Sequence, residues 1–235
     1  MSVVMSTCNN CRGIFYEKYC GRCGQALSGN HRLETLALTK EVFHSTFHTG
    51  GGMGKTVLLL LINPRAVLQG YLDGRRKFYF SPIKLFLVCS VIYITTNLFV
   101  DDHDYTIVKV PLDEMIAANK YFFIFASIVI SAGLNRLVFY KWRYNYAEHL
   151  VVAMYVYSFI YIFMSAAMLL LYWFDLDLIF YAMTVAMIYY TYAMTRFYNH
   201  RQLIWRILGS VLVYLLTLIL FTIPILFFVI RPMIV

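Results

Sequence analysis

The sequence predicts an all-α polytopic membrane protein with about five transmembrane helices. Three observations support this fold class. Of the 235 residues, 61% are hydrophobic and only 14% are charged, whereas an ordinary globular domain is about half apolar and about a quarter charged. Apolar stretches of roughly 20 residues, long enough to cross a hydrocarbon core as a helix, recur after Phe80. The loops between them alternate between basic and acidic composition.

The apolar stretches give five predicted membrane helices. We place them at Pro82–Val100, Tyr121–Tyr140, Tyr146–Trp173, Leu178–Thr195 and Leu203–Ile230. The last is longer than a bilayer core requires, so we expect tilt or a kink at Pro224 to absorb the excess. The chain then divides into an N-terminal module at 1–30, an interfacial segment at 31–79 and a helical bundle at 80–235.

The basic residues predict which side of the membrane each loop occupies. Of the 20 Lys and Arg residues, all but Lys109, Lys120 and Arg231 lie in the N-terminal part or in loops on its side. Because Lys- and Arg-rich loops stay in the cytoplasm, we expect a cytoplasmic N-terminus and an outside C-terminus. We then expect the basic residues that give the net charge of +8 to contact lipid headgroups, and we expect no nucleic acid partner. No cleavable signal peptide is expected, because the first twenty residues hold no apolar core.

Four of the five cysteines form two Cys-x-x-Cys pairs, Cys8–Cys11 and Cys20–Cys23. Each pair can present two thiolates from one tight turn, and Gly24 relieves the strain of the second turn. A reducing compartment favours a metal site over disulfides. The predicted fold therefore includes an N-terminal four-cysteine zinc ribbon. It also includes interfacial amphipathic helices between the ribbon and the membrane bundle.

We expect the Zn²⁺ to be structural. Four thiolates leave no open position for water, and metal binding supplies the folding energy of so short a loop. Iron or a redox dithiol are the alternatives. Ile14, Phe15, Tyr16 and Tyr19 either cover the metal or dock a partner. Cys89 lies in the first membrane helix and is expected to fill apolar space.

The interfacial segment predicts short helices. Apolar residues recur at helical spacing over His31–His48, which indicates an amphipathic helix on the membrane surface. Asn63-Pro64 predicts the N-cap and first residue of a short helix through Leu72. The stretch Thr49–Thr56 is close to a phosphate-binding loop, but Thr replaces its first Gly and no strand precedes it. We therefore expect a glycine hinge there and no nucleotide.

A basic and aromatic stretch follows that short helix. Basic side chains beside aromatic ones at a cytoplasmic helix end bind anionic headgroups, at roughly 1 kcal/mol per charge. Simple topological anchoring is the alternative to a specific site. The candidates for binding a lipid or a partner are Arg75, Arg76, Lys77 and Tyr79.

Ionisable and phenolic side chains in two predicted helices form polar stripes, and such groups are costly at membrane depth. By helical spacing the stripe of the third helix can face that of the fourth. The stripes predict either a functional site or hydrogen bonds that only hold the helices together. The functional site would be a path for protons or a polar substrate, or a site for a lipid headgroup, with Glu148 and His149 as titrating groups. The candidate residues of this polar bundle site are Glu148, His149, Tyr157, Tyr189, Tyr192 and Arg196.

Several motifs follow one another in a fixed order: Tyr19–Gly24 with both cysteine pairs, Asn63-Pro64, Tyr71–Tyr79 with Pro82, and Tyr146–Leu150. Together they resemble a bacterial family catalogued as domain of unknown function 3667, over Cys8 to about Arg201. The resemblance implies a zinc ribbon joined to a small helical membrane domain in a bacterial inner membrane, and it implies no activity. The positions that match the family pattern are Pro64, Tyr71, Gly74, Arg75, Tyr79, Glu148 and His149.

Three functions are consistent with these features. The ribbon favours a membrane-anchored adaptor or regulator that binds a cytosolic or membrane protein partner. The polar stripes favour a small transporter or a lipid-handling protein. A membrane-embedded enzyme comes third, because no nucleophile and base stand at recognisable spacing, and we predict no catalytic residue. The expected partners otherwise are membrane lipids and a second copy of the chain.

Overall fold

The computed structural model describes residues 6–15, 18–27, 52–103, 111–140, 144–174, 179–199 and 202–234. Side chains are left undescribed at 6, 15, 101–103, 111–123, 171, 179–180 and 221–234. Some predicted features therefore lie outside the described residues. These are the amphipathic helix at His31–His48, the first three residues of the glycine hinge, Tyr16, and the loop charges Lys109, Lys141, Arg143, Asp175, Asp177 and Arg201.

The described chain starts with two short antiparallel strands and continues with helices. In the strands, β1 (Ser6–Thr7) and β2 (Ile14–Phe15), Ser6 pairs with Phe15 and Thr7 with Ile14. The helices are α1 (Met53–Ile62), α2 (Pro64–Leu72), α3 (Pro82–His103), α4 (Pro111–Val138), α5 (Tyr146–Phe174), α6 (Ile179–Phe197) and α7 (Leu203–Ile234).

Three helices within the described residues are long and apolar enough to cross a membrane. They are Pro82–Val100 of α3, the whole of α5, and Leu203–Leu220 of α7. The apolar stretch Ile124–Val138 of α4 is shorter, as is α1. Length and apolar composition thus indicate a membrane protein. Each of the five predicted spans coincides with a helix, and three of them meet both criteria.

The central helix of the bundle is α5. It packs against α3, α4 and α6, and α7 closes a ring by packing against α4 and α6. Burial follows this arrangement, because 61% of the apolar window of α5 is buried against 28% in α3 and in α7. The large apolar side chains that α3 and α7 expose form surfaces suited to lipid. They include Leu87, Val91, Leu98, Ile204, Leu208 and Leu212.

The segment before α3 folds into a helical hairpin, α1 and α2, which packs against α5 and, through α2, against α6. Asn63 Oδ1 accepts a hydrogen bond from the backbone N–H of Ala66 at 3.3 Å, and Pro64 is the first residue of α2. This confirms the predicted N-cap. The hairpin ends at Asp73, after which Gly74 has φ of 92°, a left-handed conformation that glycine accommodates without strain.

Candidate functional site

The four paired cysteines converge on one point. Their Sγ atoms lie within 4.8 Å of one another. The Sγ atoms of Cys8 and Cys23 are 3.6 Å apart, and those of Cys11 and Cys20 are 3.5 Å apart. A tetrahedral ion with metal–sulfur distances of about 2.3 Å holds its sulfurs about 3.8 Å apart. The four thiols can therefore hold one metal ion.

Both cysteine pairs are held by the same backbone turn. The carbonyls of Cys8 and Cys20 each accept a hydrogen bond at 2.8 Å from the N–H four residues on. The amides of the same two cysteines donate to the carbonyl five residues on, at 2.7 and 2.8 Å. The residue four positions after the first cysteine of each turn is left-handed, with φ of 59° at Arg12 and 68° at Gly24. Glycine adopts this conformation freely, whereas Arg12 does so at a cost.

Backbone groups close to the sulfurs shape the metal site. The backbone N–H of Cys23 donates to Cys20 and lowers the pKa of its thiol to about 7, which favours the thiolate that binds metal. Burial raises the pKa of Cys8. At Gly13 a Cβ would lie 3.3 Å from both Cys11 Sγ and Cys20 Sγ. Glycine therefore lets the chain pass beside the cluster.

We call the described residues that carry the four cysteines, 6–15 and 18–27, the ribbon. The ribbon contacts the turn that ends α2. Asn9 Nδ2 donates to the carbonyl of Asp73 at 3.0 Å, and Gln25 Nε2 donates to the carbonyl of Gly74 at 2.7 Å. Asn9 lies inside the first cysteine pair and Gln25 lies two residues after the second. Both cysteine turns thus contact one turn of the helical part, so the cysteine cluster is connected directly to the hairpin.

Two of the side chains predicted either to cover the metal or to dock a partner are exposed. Ile14 is 43% exposed and Tyr19 is 57% exposed. The Phe15 side chain and Tyr16 lie outside the described residues. Of the two alternatives predicted for this loop, the exposure of Ile14 and Tyr19 fits a surface that another molecule can contact.

The predicted basic and aromatic candidates occupy different environments. Tyr79 is buried, and its hydroxyl donates to the carbonyl of Ala66 at 2.6 Å. Burial also raises the pKa of the Tyr79 phenol. Arg75 is exposed, whereas Arg76 and Lys77 are half-buried. Tyr79 therefore joins the hairpin to the turn before α3, and the basic side chains are the part of this stretch that can contact a ligand.

The same turn is fixed by α1 and α5. The backbone N–H of Phe80 donates to Thr56 Oγ1 at 3.0 Å, and the Tyr155 hydroxyl donates to the Phe80 carbonyl at 2.6 Å. Lys55 Nζ lies 3.9 Å from the centroid of the Phe78 ring. Lys55 and Thr56 end the glycine-rich motif, and in the structure they belong to α1 and contact this turn.

One known family model matches the part of the chain that forms the hairpin, its basic turn and the first half of α3. Residues 51–94 match the family model described as Protein of unknown function (DUF3667). These residues are similar to the DUF3667 family, and we call residues 51–94 the DUF3667 segment after the model that they match. The match confirms the predicted resemblance, while the ribbon and Tyr146–Leu150 lie outside the matched residues. No curated protein and no solved structure matches the chain.

Two predicted stripe residues of α6 bind the DUF3667 segment. The hydroxyl of Tyr189 donates to the carbonyl of Leu60 at 3.2 Å, and that of Tyr192 donates to the carbonyl of Ile62 at 2.9 Å. Leu60 lacks a helical donor because Pro64, four residues on, has no N–H. These phenols therefore complete the end of α1, and do not pair with the stripe of α5.

Glu148 caps the helix in which it lies. The backbone N–H of Asn145 donates to Glu148 Oε2 at 2.7 Å, and the backbone N–H of Glu148 donates to Asn145 Oδ1 at 2.9 Å. This reciprocal pair is a capping box at the start of α5. Arg196, predicted as part of the polar bundle site, is exposed near the end of α6. Its Cζ lies 5.6 Å from the centroid of the Tyr192 ring.

A buried polar layer lies inside the helix ring. His149 Nδ1 is 2.9 Å from the Tyr198 hydroxyl. Deeper in the ring, Asn135 Nδ2 donates to the Tyr190 hydroxyl at 2.8 Å, and the rings of Tyr157 and Tyr190 are 6.1 Å apart. The buried side-chain atoms that lack a hydrogen-bond partner among the described residues include Asn135 Oδ1, His149 Nε2 and Ser210 Oγ.

The layer contains residues that the sequence did not single out. Tyr190 lies outside the predicted stripe of α6, which follows Tyr189 and Tyr192, and Tyr198 lies just beyond the end of that helix. Asn135 was missed although an amide in an apolar helix is itself a signal of buried hydrogen bonding. For Asn9 and Gln25, which hold the ribbon, the sequence carries no signal, since their acceptors lie far along the chain.

Proposed function

We propose that the chain is a membrane-anchored adaptor or regulator whose ribbon binds a cytosolic protein partner. One observation carries this proposal: Asn9 and Gln25 fix the ribbon to the Asp73–Gly74 turn, while Ile14 and Tyr19 stay exposed. A rigid, metal-stabilised module with an exposed apolar surface is suited to recognition.

We propose Zn²⁺ as the metal, held by Cys8, Cys11, Cys20 and Cys23. An all-thiolate set with sulfurs at these separations suits tetrahedral zinc. With four protein ligands no position is open for water, so bound zinc would supply folding energy to the ribbon and no catalytic step.

The proposed location is a bacterial inner membrane, with five spans, the N-terminus in the cytoplasm and the C-terminus outside. The distribution of Lys and Arg supports this orientation. It also places the thiolates in a reducing compartment, which keeps them available to metal. Within this arrangement, Arg75, Arg76 and Lys77 are proposed to contact lipid headgroups or the same partner.

A photo-reactive side chain at Tyr19 tests the adaptor in native membranes. We expect it to cross-link one protein in a stable ratio, and the adduct to disappear when Cys20 and Cys23 are both changed to Ser. Cys89→Ser is the matched control, because Cys89 is buried in α3, away from the cluster. An adduct that persists in the double Ser variant would contradict the proposal.

The unpartnered buried atoms Asn135 Oδ1, His149 Nε2 and Ser210 Oγ favour a second candidate, a site for a small polar ligand within the helix ring. A buried polar group without a hydrogen bond costs about 1–3 kcal/mol, so water or a solute at His149 Nε2 and Asn135 Oδ1 would be stabilising. Against a transport path, Glu148, Tyr189 and Tyr192 already bond to helix ends. His149→Ala with Asn135→Ala should then abolish retention of a co-purifying small polar molecule, detected by native mass spectrometry, while leaving the adduct at Tyr19 unchanged.

A further inference from the structure

Helix α1 has a composition suited to lipid but lacks the length to span a bilayer. Its 10 residues, Met53–Ile62, extend for about 15 Å, which is half of a hydrocarbon core. Its charged residue, Lys55, lies in the first turn. Leu58, Leu61 and Ile62 are 56%, 50% and 63% exposed. An apolar helix of this length is expected in a protein core, as an interfacial segment or as a re-entrant segment. Its exposed leucines exclude the core, and its depth relative to α6 distinguishes the other two.

The hairpin enters the bundle more deeply at its tip than at its second arm. At the tip, Tyr189 and Tyr192 bond to the carbonyls of Leu60 and Ile62. In the second arm, Gln69 Nε2 donates to the carbonyl of Phe197, the last residue of α6, at 3.2 Å. Tyr189 precedes Phe197 by about 12 Å along the helix axis. The tip of the hairpin therefore lies further toward the middle of α6 than Gln69 does.

Two backbone carbonyls at the tip, those of Leu60 and Ile62, are satisfied by protein groups, as a water-free environment requires. The Leu60 carbonyl has no helical donor because Pro64 lacks an N–H. The N–H of Ala66, which would serve the Ile62 carbonyl, bonds to Asn63 instead. In water these carbonyls would be hydrated, but in lipid an unsatisfied group costs several kcal/mol. Two tyrosine hydroxyls from α6 replace the missing donors.

We infer that α1 and the start of α2 form a re-entrant hairpin whose exposed face, Leu58, Leu61 and Ile62, contacts lipid acyl chains in the leaflet on the ribbon side. The basic groups lie where headgroups would meet the hairpin, because Lys55 is in the first turn of α1 and the exposed Arg75 follows the second arm. The apolar face continues onto α6, where Ile188, next to Tyr189, is 59% exposed. This inference is independent of the proposed adaptor function.

Site-specific photo-cross-linking tests the hairpin in the full-length protein. Benzophenone-bearing residues replace Leu58 or Leu61, and the protein is reconstituted in nanodiscs of phosphatidylethanolamine and phosphatidylglycerol. Leu87, on the exposed face of α3, is the positive control, and Arg22, on the ribbon, is the negative one. None of the four side chains is buried, so the fold should be retained.

We expect intact-mass spectra to show phospholipid adducts at Leu58, Leu61 and Leu87 and none at Arg22. Absence of lipid adducts at Leu58 and Leu61, while Leu87 gives one, would overturn the inference. Adducts from Leu58 and Leu61 to a second copy of the chain would also overturn it, because the face would then be an interface between copies.

Discussion

Gly70 shows how one residue determines the packing of the DUF3667 segment. A Cβ at this position would lie 2.7 Å from Tyr79 Oη and 2.8 Å from its ring. Gly70→Ala should therefore displace Tyr79 and weaken its hydrogen bond to Ala66. We expect a destabilisation of about 1–3 kcal/mol, typical of overpacking. The measurement is the thermal unfolding midpoint of the protein purified in detergent.

Gly54 provides the matched control for this substitution. It lies in α1, and a Cβ there would meet nothing within 4 Å. Gly54→Ala should leave the midpoint unchanged or raise the stability by about 0.4–1 kcal/mol, since it reduces unfolded-state entropy. Equal losses for the two alanine variants would mean that the contact with Tyr79 is not the cause.

Two substitutions of Glu148 distinguish a role in capping α5 from a role that requires its charge. Glutamine can also take the third position of a capping box, so Glu148→Gln should retain most of the stability. Glu148→Ala removes the acceptor for the Asn145 N–H and should cost about 0.5–2 kcal/mol. Thermal unfolding of both variants provides the comparison. A Gln variant as unstable as the Ala variant would show that charge, and not capping, is required.

At the scale of elements, the end of α1 depends on phenols from α6. Tyr189→Phe leaves the ring in place but removes the donor to the Leu60 carbonyl, and the unsatisfied buried acceptor should cost about 1–3 kcal/mol. Hydrogen exchange in α1 should then be faster in the variant than in the unmodified protein, while exchange in α3 should stay the same. Tyr181→Phe is the control, because Tyr181 is 69% exposed. Unchanged exchange in α1 would show that water or another group serves the Leu60 carbonyl.

The long elements were predictable because their signal is local. Apolar length identified α3, α5 and α7, and Asn63-Pro64 identified the start of α2, since caps and proline act through neighbouring backbone groups. Which elements bond to one another was harder to predict from the sequence. The phenols of α6 were assigned to a stripe facing α5, whereas Tyr189 and Tyr192 bond to a hairpin more than a hundred residues earlier in the chain.

For the whole molecule, the ribbon and the bundle should respond together to metal. Chelation, or Cys20→Ser with Cys23→Ser, should unfold a ribbon that has little core of its own. Asn9 and Gln25 would then release the Asp73–Gly74 turn. Hydrogen exchange should become faster in both the ribbon and the amides from Gly74 to Phe78, and bound metal should fall to none. Cys89→Ser should change neither quantity.

Two results would contradict this coupling. If the ribbon lost its metal while exchange near Gly74 stayed the same, the contact between ribbon and turn would be absent in the membrane. If Cys89→Ser reduced the metal content as far as the double variant, the four-cysteine cluster would not be the binding site.

The sequence by itself determined the membrane character, the places of the long helices, the cysteine set and the cap of α2. Each of these follows from composition or from residues a few positions apart, where periodicity and covalent geometry dominate. Only the tertiary structure decided the partners of the polar groups: the ribbon on the Asp73–Gly74 turn, Tyr189 and Tyr192 on α1, and His149 beside Tyr198. A polar group in an apolar bundle must bond to whatever packing brings near it, and that neighbour is set by helix contacts that local sequence does not encode.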